Sequence, residues 1–140
     1  ERCSVLPESV ASRIHVAAVS MEDREVNATV VNAVQRVSSV VTQRSLIEAF
    51  GLTVAEAMWK KAPVVASAVG GIRDQIDDGV DGVLVDPTDG LAWAEAVRDL
   101  LLFPERAQEM GLVAHESVRR EFLSNRHLQD LLQILADLVG

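Results

Sequence analysis

Two glutamates eight positions apart, Glu48 and Glu56, have types and spacing that could do chemistry. A Phe-Gly-Leu turn lies between them. Thr53 followed three residues later by Glu56 has the form of a capping box, which predicts a helix that begins at Thr53. The first N–H groups of such a helix face the glycine turn. Unpaired N–H donors and the helix dipole favour an anion there, and we expect the bound anion to be a phosphate.

Ionised carboxylates accept hydrogen bonds and cannot donate them, so Glu48 and Glu56 could bracket a phosphate-bearing sugar through its hydroxyl groups. A structural interpretation stands beside this one. Glu56 would complete the capping box, which is worth about 1 kcal/mol to the helix, and Glu48 would be a solvated loop charge. Glutamates are frequent in a charge-rich chain, so the spacing alone favours the structural interpretation.

The elements that must position these glutamates are predicted from apolar runs and helix punctuation. Four runs suit buried parallel strands, at residues 14–19, 37–42, 64–66 and 83–85. Between them lie helical patterns, and the central one is expected to carry its apolar residues inward. These are Ala55, Ala57, Met58 and Trp59. Alternating strands and helices imply an α/β fold, a parallel sheet flanked by helices and resembling a Rossmann half.

Local signals also mark turns and helix ends. Gly70-Gly71 follows a predicted strand, at the edge where open α/β sheets bind ligands, although a tight turn needs no ligand. Arg44 is interpreted as a surface or ion-pairing residue, with a phosphate contact as the alternative. The stretch 86–89 predicts a turn that starts a helix, and Ser124 predicts the cap of a last, leucine-rich helix.

Composition restricts the class of protein. The 140 residues suit one domain over residues 1–140. A formal net charge of −8 and a pI near 4.8 argue against a nucleic-acid partner, because such binding depends on Lys and Arg. No apolar run approaches the roughly 18 residues of a membrane span. Because the chain begins at Glu1 and not at Met, we expect either a fragment of a longer protein or a processed form.

Cys3 is the single cysteine, which excludes an internal disulfide framework and a cysteine-built metal cluster. We therefore predict no metal site. A reducing environment is consistent with this cysteine usage, and we predict a cytoplasmic location.

The region around the two glutamates resembles the retaining glycosyltransferases of the GT-B type, which have two Rossmann-like domains. Glu48 and Glu56 match their E-x7-E motif. Residues 40–45, 57–60, 63–66 and 69–72 extend the likeness to the trehalose synthase or trehalose phosphorylase branch. The resemblance covers roughly residues 14–137. It implies that the chain is the C-terminal, donor-binding portion of such an enzyme, a partial Rossmann-like domain.

The resemblance also implies roles for individual residues. Glu48 would contact hydroxyls of the donor glucose as a supporting catalytic residue, and Glu56 would accept from the ribose hydroxyls. The backbone between them would line sugar and phosphate, with a threonine at the phosphate-facing helix start. These residues are Phe50, Gly51, Leu52 and Thr53. Ala49 departs from the family, which usually has glycine after the first glutamate, and its methyl group restricts approach to the sugar.

The implied partners are a nucleoside-diphosphate glucose donor and a sugar acceptor, with no cofactor beyond that substrate. The acceptor would be held by an N-terminal domain missing here, so we expect the chain alone to transfer no sugar. The expected product of the whole enzyme is trehalose. A rival interpretation is a non-catalytic interaction or dimerisation module derived from the same fold. A sugar-nucleotide epimerase ranks below both.

The resemblance has a further implication for assembly. Rossmann-like sheets commonly run in the strand order 3-2-1-4-5-6, and the four predicted strands would correspond to the third to sixth. The strand ending near Thr42 would then lack its inner neighbours. An open apolar edge invites pairing with another chain, so we expect a homodimer or a rearranged first strand.

Overall fold

A computed structural model describes residues 6–139, apart from the side chains of residues 124–127, 130 and 139. It divides into two compact units, one ending at Asn32 and one starting at Ala33. The first unit contains helix α1 (Glu8–Ala11) and the beginning of helix α2 (Arg24–Val37). The division concerns compactness, so a single donor-binding domain stays a prediction.

The second unit contains a parallel sheet of three strands in the order β1 (Val41–Gln43), β2 (Val64–Ser67) and β3 (Val83–Val85). Val41 pairs with Val64, and Val65 pairs with Val83. The strand β2 is central and all four of its residues are buried. The parallel α/β architecture and the predicted strands at residues 64–66 and 83–85 are confirmed.

Five helices of the second unit follow β1. They are α3 (Leu52–Trp59), α4 (Ile72–Gln75), α5 (Gly90–Leu102), α6 (Pro104–Glu121) and α7 (Ser124–Val139). Successive residues of β2 point to opposite faces of the sheet, so the unit has two apolar clusters. Val64 packs with Val54 and Met58 of α3, and Val65 packs with Trp93 and Met110 on the other face. The helices thereby flank the sheet.

One strand prediction is wrong, and another is right in existence but wrong in its bounds. Residues 14–19 form no strand, and Ile14 is 42% and Val16 89% exposed. An apolar run becomes a strand only when a neighbouring strand takes up its hydrogen bonds. The strand predicted at residues 37–42 starts at Val41, because α2 continues through Val37 and pairing with β2 begins at Val41.

The predicted helix start at residues 86–89 is confirmed. The Asp89 side chain accepts from two N–H groups of the first turn of α5, at 3.0 and 2.9 Å. Pro104 lies at the first position of α6, where its missing N–H has no intrahelical acceptor to lose. The predicted cap by the Ser124 side chain lies outside the described residues.

The predicted leucine face of α7 is exposed. Its members with described side chains are each about half exposed or more; they are Leu128, Leu131, Leu132, Leu135 and Leu138. At the sheet, β1 is hydrogen-bonded to β2 and forms one edge of the described strands. The homodimer stays a prediction. No helix among the described residues has the length and apolar character needed to cross a membrane.

Candidate functional site

The loops that follow the three strands lie at one edge of the sheet, because the carboxyl ends of parallel strands share an edge. These loops are residues 44–51 after β1, 68–71 after β2 and 86–89 after β3. The predicted binding residues before α3 therefore share this edge with Gly70-Gly71 and with the Asp86–Asp89 turn.

The helix α3 begins at Leu52, one residue before its predicted start, and Gly51 is its N-cap. Gly51 has φ 81° and ψ 55°, in the left-handed region that glycine adopts readily. No side chain caps this helix, so the predicted Thr53 capping box is wrong. The physical reason is the sharp glycine turn, which moves Thr53 into the first turn of the helix. Leu52 and Thr53 are both exposed.

The apolar face of α3 also differs from its prediction at both ends. Val54, Ala57 and Met58 are fully buried, whereas Trp59 is 41% exposed. The Trp59 ring stacks on His115, with ring centroids 4.5 Å apart. His115 Nδ1 donates to the Trp59 carbonyl oxygen at 2.6 Å. This contact ties the last turn of α3 to α6.

The Gly70-Gly71 turn supports the loop that carries the first glutamate. Gly70 has φ 47°, and a Cβ added there would lie 1.8 Å from the Glu48 carbonyl oxygen. A Cβ added at Gly71 would lie 2.3 Å from the carbonyl oxygen of Ala49. Distances this short exclude any side chain, so the backbones of two loops are in direct contact. This close contact explains why both positions are glycine, in agreement with the interpretation of Gly70-Gly71 as a tight turn that needs no ligand.

Glu48 is half-buried and its carboxylate is oriented by a short relay. Gln43 Nε2 donates to Ser45 Oγ at 2.9 Å, and the Ser45 hydroxyl donates to Glu48 Oε2 at 3.3 Å. The relay leaves the carboxylate further lone pairs with which to accept from a ligand. Gln43 and Ser45 were missed from sequence, and the serine three residues before the glutamate was the only local signal.

Glu56 lies in a different environment from Glu48. It is exposed and lines a groove of about 220 Å³ beside α3. Phe50 and Leu52 line the same groove, and the Phe50 ring meets Phe122 edge-on with centroids 6.1 Å apart. The structure thus brings three predicted binding residues to one groove. Glu48 lies outside it.

Arg44 holds the loop after β3. Its Nε donates to the Pro87 carbonyl oxygen at 2.9 Å, and its guanidinium lies 5.6 Å from the centroid of the Trp93 ring. Trp93 Nε1 in turn donates to the Asp86 carbonyl oxygen at 3.1 Å. Arg44 therefore acts as a clamp between two loops at the carboxyl edge, through a backbone oxygen and a cation–π contact.

Asp86 carries the one pKa shift that is resolved at this edge. The Thr88 hydroxyl donates to its carboxylate at 2.6 Å and the Thr88 N–H at 2.7 Å. These two bonds, with smaller contributions from the Asp89 N–H and the Arg73 charge, lower the pKa of Asp86 below its ordinary value. Asp86 is therefore ionised and adds negative charge beside Arg73.

Within the described ranges, no group of three or more His, Cys, Asp or Glu residues could hold a metal ion. The absence of a metal, the absence of a cofactor and the cytoplasmic location all stay predictions.

A model of the family described as glycosyl transferases group 1 matches residues 24–116. The chain belongs to this family. Among curated relatives, the trehalose synthase of Pyrococcus horikoshii is 50% identical over 115 residues, which are 82% of this chain and 27% of the relative. The chain thus spans about a quarter of the length of that relative.

Solved structures agree with this assignment. Sucrose-phosphate synthase from Thermosynechococcus elongatus aligns with a TM-score of 0.72 and 32% identity, covering 89% of this chain and 30% of that chain. A glycosyltransferase from Rickettsia africae aligns with a TM-score of 0.75 over 94% of this chain and 34% of its own, at 21% identity, and shows the fold alone. The parallel sheet of this chain and its flanking helices are therefore of the GT-B type.

Proposed function

We propose that this chain is the nucleotide-sugar-binding portion of a retaining glycosyltransferase that moves glucose from a nucleoside-diphosphate glucose to an acceptor sugar, giving trehalose. In this proposal the donor is a substrate and no further cofactor takes part. The acceptor is held by a second domain, so the chain alone transfers no sugar. The similarity to a protein named trehalose synthase supports the choice of product.

The observation that carries the proposal is the start of α3. Gly51 turns the chain in a left-handed conformation, and the first residues of the helix behind it are exposed. The first N–H groups of an α-helix have no intrahelical acceptor, and the helix dipole makes this end positive. A diphosphate placed there gains hydrogen bonds while it is bound. The helix end stabilises the diphosphate further during the reaction, because negative charge develops on the leaving nucleoside diphosphate.

The two glutamates would divide the recognition of the donor. Glu48 is held by the Ser45 hydroxyl at 3.3 Å, and we assign it to hydroxyls of the donor glucose. Glu56 faces a groove with Phe50 and Leu52, and we assign it to the ribose hydroxyls. The backbone from Phe50 to Thr53 lines sugar and phosphate in this assignment. Their separate environments are what a divided role requires.

The test separates the two glutamates by ligand. Glu56→Gln should weaken binding of both a free nucleoside diphosphate and its glucose conjugate, whereas Glu48→Gln should weaken only the conjugate. Each loss should be roughly 1.5–3 kcal/mol, the size of a desolvated charge-assisted hydrogen bond. Calorimetric titration of the complete protein as its gene encodes it measures both ligands.

Glu109→Gln is the matched control, since this glutamate is exposed on α6 and its substitution changes the net charge equally. Each variant should first melt within a few degrees of the parent. Equal losses for both ligands in both variants would remove the division of roles, and no loss in either would leave both glutamates structural.

A second candidate function is a non-catalytic interaction module, favoured by the exposed leucine face of α7. Leu128, Leu131 and Leu135 are 56%, 52% and 49% exposed, and contiguous exposed apolar faces mark interaction surfaces. Titration with a nucleoside diphosphate discriminates the two candidates, because a module kept only for pairing binds no nucleotide.

A further inference from the structure

Gln75, the last residue of α4, is buried against the turn that starts α3. It is 3% exposed, and its Nε2 donates to the Phe50 carbonyl oxygen. Its Oε1 would lie 3.4 Å from a Cβ added at Gly51. Within the part of the chain that the structure describes, this oxygen is buried without a hydrogen-bond partner. The amide therefore lies against the Phe50–Gly51 peptide.

The contact is specific to an amide. A backbone carbonyl only accepts, so its partner must carry a proton. An apolar side chain of the same length would leave the Phe50 carbonyl facing a buried surface without a donor, and unsatisfied buried acceptors are unfavourable. The neighbouring Ile72 is apolar and offers no donor; its Cγ1 would lie 2.9 Å from a Cβ added at Gly51, too close for a side chain there.

We propose that Gln75 is a positioning residue of the donor site. By fixing the Phe50–Gly51 peptide, its amide sets the direction of the first N–H groups of α3, which in the proposed function face the donor diphosphate. The inference rests on that proposed function for its ligand. When Gln75 holds the turn, nearly all molecules have the conformation that binds the donor. Without this contact a smaller fraction of molecules has that conformation, and the apparent affinity for the donor falls in proportion to that fraction.

The substitution Gln75→Glu tests this through protonation. A carboxylate cannot donate to the Phe50 carbonyl, but a carboxylic acid of the same size can. Burial beside a carbonyl raises the pKa of such a carboxyl above the ordinary glutamate value of about 4.3. Lowering the pH should therefore restore the donor and with it the turn. Burial by itself also penalises the carboxylate, so the discriminating variant is Gln75→Met, which fills the space with neither a donor nor a charge and would be tolerated if Gln75 merely filled space.

The experiment titrates the complete protein with a nucleoside-diphosphate glucose, whose diphosphate is doubly esterified and does not titrate in this range. Gln75→Glu should bind about tenfold more weakly than the parent at about pH 8, and within about twofold of it at about pH 5.5. Gln75→Met, which lacks the amide and adds no charge, should be weaker at both pH values. Gln108→Glu, exposed on α6, is the control with the same charge change and should follow the parent.

Amide hydrogen exchange at Val54 and Ala55, whose N–H groups donate to the Gly51 carbonyl oxygen at 3.0 and 3.2 Å, provides a readout in the unliganded protein that does not need the donor. Protection at these residues should fall in Gln75→Met, and in Gln75→Glu at about pH 8 only. Unchanged protection would overturn the proposal, and so would a loss of affinity in Gln75→Glu that ignores pH. If Gln75→Glu does not fold, Gln75→Met decides by the same two measurements. A parent that binds no donor contradicts the proposed function instead, and exchange still decides whether Gln75 holds the turn.

Discussion

Asp86 and Thr88 form a hydrogen-bonded unit at the start of the loop that Arg44 clamps. The carboxylate accepts from both the hydroxyl and the N–H of Thr88. Both bonds stabilise the charged form, and the hydroxyl is the largest cause of the lowered pKa. Because Asp86 is exposed, these two hydrogen bonds act locally and order the turn. The backbone carbonyls of this turn accept hydrogen bonds from Arg44 and Trp93.

At the residue scale, Thr88→Val should raise the pKa of Asp86 toward its ordinary value, because the largest stabiliser of the charged form is removed. Thr88→Ser keeps a hydroxyl and should leave the pKa low. Carbon-detected NMR titration of the carboxyl group measures both. A group with a lowered folded-state pKa contributes stability that is present above about pH 4 and is lost as the pH falls through the lowered value. The parent should therefore exceed Thr88→Val in stability near neutral pH and not in strong acid.

The contact between the loops after β1 and β2 is the main finding at the scale of elements. Gly70 and Gly71 bring the turn before α4 against the carbonyls of Glu48 and Ala49, and Gln75 at the end of α4 holds Phe50. The loop before α3 is thus supported along its length by a single neighbouring segment. A change in the Gly70-Gly71 turn should therefore displace the loop that carries Glu48 and leads to the start of α3.

Gly70→Ala and Gly79→Ala form a matched pair at this scale. Both glycines have positive φ, 47° and 78°, but a Cβ at Gly70 would meet the Glu48 carbonyl oxygen, whereas nothing lies within 4 Å at Gly79. Gly79→Ala should reduce the free energy of unfolding by about 1–2 kcal/mol, the cost of a left-handed alanine. Gly70→Ala should reduce it by roughly 2 kcal/mol more, because the backbone must move. Urea unfolding measures both, and equal losses would mean that the two loops do not need their close contact.

At the scale of the whole molecule, the chain has the parallel sheet and helices of its family but spans 27% of the trehalose synthase from Pyrococcus horikoshii. The candidate site lies at the carboxyl edge of this sheet. In the proposed function, that edge would face a second domain that holds the acceptor and excludes water. The apolar face of α7 is a separate exposed surface of the second unit.

We therefore expect the 140-residue chain alone to bind a nucleoside-diphosphate glucose but to form no trehalose. In the proposed function the donor binds at the start of α3 and its supporting loops, whereas transfer also needs an oriented acceptor. Incubation with the donor and glucose, followed by chromatography for trehalose, measures transfer, with a complete trehalose synthase as the positive control. Sustained turnover by the chain alone would contradict this expectation.

The sequence by itself determined the parallel α/β class, the strands β2 and β3, the helix start after residues 86–89 and the family resemblance. Each depends on neighbouring residues, whose hydrophobic period, capping side chains and proline positions act over a few peptide bonds. It also marked Gly51 as a turn ahead of a helix. The sequence placed the N-cap of α3 at Thr53 and not at Gly51. The local sequence is compatible with both a capping box and a glycine turn, and only the backbone conformation shows which one forms.

Tertiary structure alone decided that residues 14–19 form no strand, since an extended run needs a partner to take its hydrogen bonds. It also decided that Gly70 lies on the Glu48 carbonyl and that the Gln75 amide reaches Phe50. These pairs are more than 20 residues apart in the chain. Their contact depends on the register of β1 against β2 and on the packing of α4, which no local pattern encodes.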